Sequence, residues 1–376
     1  MIDFNRCSIT DLEKEYVTDA LFKKQCGDGA YTKKVYELFK NKLGIDNVLL
    51  TTSCSTALDM GAMLADIREG DEVIVPSYTF VSTANAAVLR GAKPVFCEIE
   101  SDTLNIDADK IEALITPETK AIFPVHYAGV ICDMDKINAI AKRHNLYVIE
   151  DAAQAVGSLY KGKQQAGTIG DIGCFSFHET KNYTMGEGGA IVVKNGELFK
   201  QAEIIREKGT DRSQFIRGEV DKYSWQSAGS SYLPSDILAA LLAAQLERYD
   251  EIMDKRMNIW NTYHSAFEGL EKSGKIRRPI IPDYSTHNAH MYYILTENET
   301  IRNDMLKYLK ENGVYAVFHY IPLHTSAMGK KLGYNKGDLP ITEDLASRVI
   351  RLPLFADMTE EQTKTVINTV INYFNK

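Results

Sequence analysis

The chain reads as an α/β protein: a large domain on a mostly parallel central sheet, then a smaller α+β C-terminal domain. Three observations predict this. Between residue 47 and about residue 200, short apolar runs alternate with helical patterns. Runs such as "EVIVP" and "LYVIE" are apolar on both faces, as in strands covered by helices on either side. From Leu233 onward the text changes to a long helical stretch, followed by a second, shorter set of strand and helix signals. These divide the chain into an N-terminal segment plus large domain (1–245) and a small domain (246–376).

The elements follow in order. "NVLLTT" precedes the helical "STALDMGAMLADI", and "DEVIVPS" precedes "STANAAVLRG". Then come "KPVFCEI", "DADKIEALI", "KAIFPVHY", "DMDKINAIAKRHN", "LYVIEDA", "DIGCFSF" and "GAIVVKN". This alternation predicts parallel strands joined by right-handed crossovers. The stretch from Pro234 to Lys272 reads as long helix, with Pro234 suited to a first turn. "NDMLKYLKENG" is a helix closed by Asn312-Gly313, "VYAVFHY" a strand, and Thr359 with Gln362 a capping box for the last helix.

Composition excludes several classes. With 376 residues, 44% of them hydrophobic, the chain can bury a substantial core. A net charge of −8 argues against a nucleic-acid surface. No apolar run approaches the roughly 20 residues of a membrane span, and "MIDFNRCSIT" lacks a charged-then-apolar signal pattern. A cytoplasmic protein is expected. The six cysteines are scattered without a CxxC pair, so neither a zinc ribbon nor a disulfide frame is signalled, and no metal is expected.

Open α/β sheets place ligands at strand ends, and three such ends here carry polar groups. "LYVIEDAAQ" delivers Asp151 and Gln154. "CFSFHETKNYTMGEGGA" delivers Ser176 and then Lys181. "NVLLTTSCSTAL" delivers Ser53, Cys54, Ser55 and Thr56 at a helix start. Each is weak alone: a lysine in a turn is ordinarily solvated, an Asp after a strand is ordinarily a turn residue, and a Ser/Thr cluster before a helix is ordinarily a cap. Together they suit a Schiff-base lysine, whose amine becomes nucleophilic when burial lowers its pKa. Pyridoxal 5'-phosphate (PLP) is a carbonyl partner with matching demands. Its ring nitrogen needs a carboxylate, which Asp151 supplies. Its phosphate needs N–H groups and hydroxyls at a helix N-terminus, which Cys54, Ser55 and Ser176 supply. Its ring needs a flat face, for which Phe80 in "PSYTF" is available.

The set "EDAAQ", "FSFHETKNYTMGEGGA", "FHYIPLH" and "RLPLF" resembles the DegT/DnrJ/EryC1/StrS sugar-nucleotide aminotransferases over essentially the whole chain. The resemblance implies the PLP-dependent aspartate aminotransferase fold (type I) and a homodimer with shared active sites. It implies that Lys181 carries the cofactor, Asp151 pairs with the pyridine nitrogen and Gln154 lies near the phenolic oxygen. Ser176 would bind phosphate and Phe80 would stack on the ring. The phosphate turn, commonly Ser-Gly-Thr, reads Ser53-Cys54-Ser55 here, so Cys54 offers its backbone amide only. The partner-subunit loop, in many members "GYNYRLS", reads "GSSYLPS". Ser231 can still donate to phosphate across a dimer, whereas Leu233 cannot hold an anion.

Other cations must then meet the substrate diphosphate. Arg212 is the first candidate, with Lys208 and Arg217 behind it, although solvated surface charge is the competing reading for each. His319 and Tyr320 match a strand-end pair that reaches sugar in relatives, against a backbone-satisfied core histidine. "REKGTDRSQF", "GSSYL" and "VFHYIPLH" resemble the subgroup that aminates dTDP-4-keto-6-deoxy-D-glucose at C4 with L-glutamate, in enterobacterial common antigen or O-antigen synthesis. A 3-keto isomer is the alternative substrate. A dehydratase on this fold carries histidine in place of the lysine, so Lys181 argues against it. A non-catalytic regulator is opposed by the intact Asp151, Gln154, Ser176 and Lys181.

Overall fold

The computed structural model describes residues 1–375. In chain order the strands are β1 (Val48–Thr51), β2 (Glu72–Pro76), β3 (Lys93–Cys97), β4 (Thr119–Ile122), β5 (Tyr147–Asp151) and the short hairpin β6 (Leu159–Tyr160) and β7 (Gln164–Gln165). β8 (Ile172–Ser176), β9 (Gly189–Val193), β10 (Ile276–Arg277), β11 (Tyr292–Thr296) and β12 (Val349–Leu352) follow. Among the described residues, seven strands form one sheet in the order β1-β9-β8-β5-β4-β2-β3.

From β3 through β8 every pairing is parallel, and β9 runs antiparallel to both neighbours. The reversal has a simple cause. β8 and β9 are joined by the turn 177–188 rather than by a crossover helix, and a direct return can only pair antiparallel. That turn carries Lys181 and leaves the end of β8 beside the ends of β5 and β1.

The sheet is buried on both faces, as its apolar runs require. Val148 and Phe175 face one layer with Phe39 and Ile140, while Ile149 and Cys174 face the other with Leu58 and Leu64. The N-terminal helices Asp11–Leu21 and Ala30–Leu38 pack on the helix Asp236–Glu247. Buried Asp236 accepts hydrogen bonds from the Tyr31 and Thr32 N–H groups at 3.1 and 2.8 Å and from the Thr32 hydroxyl at 2.7 Å, which ties the chain ends of the large unit together.

β10, β11 and β12 form an antiparallel sheet covered by Trp260, Tyr263, Phe267, Val366 and Val370. Ile2 packs in this second core and bridges Val314, so the first residues belong with the small unit, unlike the rest of the N-terminal segment. The helix Tyr249–Ala266 serves both cores, Ile252 in the first and Ile259 in the second.

Three local readings are corrected. The helical run breaks into Asp236–Glu247, Tyr249–Ala266 and Glu268–Lys272. Arg248 leaves helical geometry at the first break, where its guanidinium binds Glu13 and Glu251. Pro234 stands before the helix, and Ser235 is the cap, accepting from the Leu238 N–H. "VYAVFHY" forms only isolated bridges, Val314 to Ile2 and Val317 to Arg351, because the residues after Val317 turn into a cleft instead of pairing. The Thr359–Gln362 capping box is present.

Candidate active site

A cleft of about 810 Å³ opens at the carboxyl ends of β1, β5 and β8. Lys181 projects into it from the turn 177–188. The turn is held by Phe177 N–H to the Gly188 carbonyl at 2.8 Å, Glu179 N–H to the Gly186 carbonyl at 2.9 Å and Lys181 N–H to the His178 carbonyl at 2.9 Å. Buried Asn182 anchors it further, donating to the Asn288 carbonyl at 2.7 Å while its amide oxygen accepts from His290 Nδ1 at 3.0 Å. Hydrogen bonds on both sides thus hold the backbone from which the Lys181 side chain reaches into the cleft. Burial pushes its pKa down from the ordinary lysine value. Cys54 and Asp151 oppose that shift, and Arg351 adds to it.

At one end of the cleft lies the start of the helix Cys54–Leu64. Ser53 caps it, accepting from the Thr56 N–H at 3.1 Å, and Thr56 returns a bond to the Ser53 N–H. The Cys54 and Ser55 N–H groups have no intrahelical acceptor there. Burial holds the Cys54 thiol well above its usual pKa, so it stays neutral beside an anion. The Ser55 and Ser82 hydroxyls meet at 2.6 Å. The last glycine of the stretch, Gly189, has a steric reason: a Cβ there would lie 2.4 Å from the Ser53 carbonyl carbon and 2.5 Å from the Cys54 nitrogen. Only glycine lets β9 pass against this turn.

Asp151 ends β5 and is buried. One carboxylate oxygen accepts from the Thr83 hydroxyl at 2.7 Å, the other from the Ala153 N–H at 3.2 Å, and the Thr79 hydroxyl backs Thr83 at 2.8 Å. Gln154 accepts from the Ala128 N–H at 2.7 Å and donates to the Tyr320 hydroxyl at 3.0 Å. Ser176 lines the cleft beside Lys181, and Phe80 presents its exposed ring at the mouth. His319 stacks on Tyr320 with centroids 3.7 Å apart and pairs through Nδ1 with the Tyr127 hydroxyl at 2.8 Å. Burial keeps His319 neutral, reinforced by Arg351, His290 and Lys181.

Lys181, Asp151, Gln154, Ser176, Cys54, Ser55, Phe80, His319 and Tyr320 thus line one cleft. Arg212 and Ser231 do not line it within this chain. The Arg212 guanidinium is committed to buried Glu207 at 3.0 Å, and Ser231 is exposed and bridges Glu207 through its backbone. Lys208 also faces Glu207, and Arg217 binds Glu203 and Glu219. Sequence reasoning missed Thr83, His290 and Arg351. Thr83 has no signal beyond being one more helix threonine. Arg351 has one: a charge inside the apolar strand "VIRL".

The cleft fits PLP on its own terms. A helix-start cradle that a Cβ would block, a carboxylate held by two donors and a buried amine face the same space. The model of the DegT/DnrJ/EryC1/StrS aminotransferase family matches residues 8–371. The chain belongs to this family. It is therefore a PLP-dependent aminotransferase of α/β class. GDP-perosamine synthase of Caulobacter vibrioides is 36% identical over 360 residues, covering 94% of this chain and 93% of that protein. A putative sugar aminotransferase of Streptococcus pneumoniae in its PMP form superposes with a TM-score of 0.92 at 28% identity, covering 100% of this chain and 99% of the other. Helicobacter pylori PseC, an aminotransferase of pseudoaminic acid biosynthesis, gives 0.90 at 27% identity, covering 100% and 99%.

Proposed function

We propose that this aminotransferase moves the amino group of L-glutamate to C4 of dTDP-4-keto-6-deoxy-D-glucose. The products are 2-oxoglutarate and dTDP-4-amino-4,6-dideoxy-D-galactose, a sugar for cell-surface polysaccharide made in the cytoplasm. The observation that carries the reading is the single cleft in which Lys181 and Asp151 stand at strand ends, with a space of about 810 Å³ reaching past them to His319, Tyr320 and Phe4. That is more room than an amino acid alone needs. The similarity to a GDP-perosamine synthase supports a nucleotide-linked sugar. The C4 choice rests on "REKGTDRSQF", "GSSYL" and "VFHYIPLH".

Lys181 would carry PLP, the Cys54 and Ser55 N–H groups with Ser55 and Ser176 would hold its phosphate, and Asp151 would accept from its ring nitrogen. When bound, PLP supplies an electron sink for the carbon that loses a proton. Lys181 Nζ takes the proton from the glutamate α-carbon and later delivers one to the sugar carbon. Its lowered pKa keeps a share of it neutral and able to accept. Both transfers come from the one side on which Lys181 stands, which sets product stereochemistry. Gln154, fixed by Ala128 and Tyr320, orients the polar edge of the site. The protein would act as a homodimer in which Ser231 and its loop reach the neighbouring site.

The test is a panel of nucleotide keto sugars incubated with L-glutamate. Small H3–H4 and H4–H5 proton couplings in the product identify the galacto-configured 4-amine. Large couplings identify the gluco epimer, and nitrogen on C3 identifies the 3-keto substrate.

A further inference from the structure

His290 lines the cleft beside Lys181, and the chemistry above leaves it unused. Its backbone is pinned from two sides. Buried Arg256 donates from Nε to the Ala289 carbonyl at 3.1 Å and from Nη2 to the His290 carbonyl at 2.7 Å. The Asn288 amide oxygen accepts from the His290 N–H at 3.1 Å. The tautomer of the ring is fixed as well. Asn182 Nδ2 donates to the Asn288 carbonyl, so the Asn182 amide oxygen is the atom 3.0 Å from His290 Nδ1. That oxygen only accepts. Nδ1 therefore carries the proton, and in the neutral ring Nε2 keeps a lone pair. Burial holds the ring neutral, and of the charges it feels Lys181 is the strongest, ahead of Arg256 and Arg351. Among the described residues nothing donates to Nε2.

A narrow recess of about 10 Å³ is lined by Lys181 and His290 together, with Gln154, Ser176, Asn182 and Asn288 around them. It is about the space of one water molecule, too small for any substrate. The amides of Gln154, Asn182 and Asn288 are bonded at both ends. Ser176 accepts from the His178 N–H at 3.4 Å and is given to the phosphate above. What remains is one acceptor, His290 Nε2, and one donor, the Lys181 amine, bordering the same space.

We infer that His290 Nε2 is the acceptor that receives the Lys181 amine once the amino donor has displaced it from PLP. The inference rests on the role of Lys181 proposed above. In that exchange the donor nitrogen bonds the cofactor carbon and the Lys181 nitrogen leaves it. The two hydrogens of the donor amine pass to Lys181, which departs as a free amine. An unanchored lysine would sample the whole cleft. One N–H given to a fixed acceptor limits that motion and turns the amine lone pair away from His290, into the cleft where the substrate carbon must stand. After proton transfer the ammonium keeps the same partner, and a hydrogen bond to a charged group is the stronger kind. His290 acts through Lys181 and is a positioning residue. Asn182, next to the lysine in sequence, sets the tautomer that makes the acceptor available.

The test compares the holoenzyme loaded with PLP, where Lys181 is tied to the cofactor, and with pyridoxamine phosphate, where it is free. The protein carries ¹⁵N in its histidine rings, and the His290 signals are assigned by their loss in a His290 variant. Nε2 should be unprotonated in the PLP form and move upfield in the pyridoxamine form as it accepts a hydrogen bond, while Nδ1 stays in place. Lys181→Ala loaded with pyridoxamine phosphate lacks the amine and should keep the Nε2 signal of the PLP form. An Nε2 signal that is unmoved in wild type, or that moves equally in Lys181→Ala, overturns the inference. His290→Asn adds a kinetic reading, since it keeps an amide donor near the Nδ1 position and removes Nε2. Its single turnover with L-glutamate should slow about tenfold to a hundredfold. The α-deuterium isotope effect on that step should grow, while PLP loading, melting temperature and affinity for 2-methyl-L-glutamate, which has no α-hydrogen, stay as in wild type. His290→Gln carries an amide out to the Nε2 position and should recover part of the rate. Wild-type turnover in His290→Asn overturns the inference. Should that variant fail to load PLP, the wild-type and Lys181→Ala signals decide alone, assigned through His290→Gln. Wild type in which borohydride fixes no cofactor on Lys181 would overturn the reading of the lysine itself.

Discussion

Lys181 is held where its charge is disfavoured, and that has a measurable sign. Its folded pKa lies below the 10.5 of a free lysine, so between the two values the unfolded chain binds more protons. Cofactor-free protein should gain stability as pH rises through that window. Apo Lys181→Met should melt above apo wild type near neutral pH, with the gap closing toward pH 10.5. A constant gap from pH 7 upward, read by calorimetry, would refute the burial account. Lys181→Ala should abolish turnover yet still take up PLP. Borohydride should then fix cofactor mass on the wild-type peptide and not on the variant. Asp151→Asn keeps the shape and loses the charge opposite the ring nitrogen. It should cost roughly 10²–10⁴ in rate, the range of one acid–base group. A rate within a few-fold of wild type would show that another group holds the nitrogen.

At the scale of elements, the site depends on how closely β9 passes the start of the helix Cys54–Leu64. The Gly189 position leaves 2.4 Å to backbone, and backbone cannot swing aside as a flexible side chain does. Gly189→Ala should destabilise the fold by about 1–3 kcal/mol. It should also weaken PLP binding, because the displaced atoms are those of the phosphate cradle. Urea unfolding and equilibrium dialysis measure the two effects. Unchanged PLP affinity would remove Ser53–Ser55 from the cradle. The turn 177–188 that carries Lys181 leads directly into Gly189, so the lysine and this contact are set by one connection.

The whole molecule presents a surface that a lone chain leaves unexplained. Trp225 is 80% exposed, and Phe215, Ile216 and Tyr223 are exposed nearby in sequence. Phe80 adds exposed apolar area at the cleft mouth, and Val81 next to it in sequence is exposed as well. Apolar groups in such number suit an interface, and the segment 207–233 also holds Arg212 and Ser231. The expected assembly is a dimer in which each loop completes the other site. Mixing Lys181→Ala chains with chains whose 207–233 loop is shortened should restore part of the activity, since one site per heterodimer is intact. Heterodimers that form without recovery would count against shared sites.

Much of this was legible in the amino acids because its signals are local. A strand end, a helix start and a lysine in a glycine-rich turn are each written within a few consecutive residues. That is why Asp151, Gln154, Ser176, Cys54, Ser55 and Lys181 could be grouped from the chain as candidates for one site, and they line one cleft. Contacts between distant segments were not legible. Thr83 meets Asp151 across 68 positions, and Arg351 enters the cleft from a strand of the small sheet. The same limit explains β9, whose direction follows from a direct return that its apolar run does not display, and "VYAVFHY", whose β pattern yields to the cleft. Arg212 is a different case: the motif offered it to a substrate, and Glu207, a near neighbour in sequence, takes its guanidinium. Residue type and spacing state what a segment can do alone. Which charge finds a partner and which is left facing a cleft is decided only when segments far apart in sequence compete for the same space.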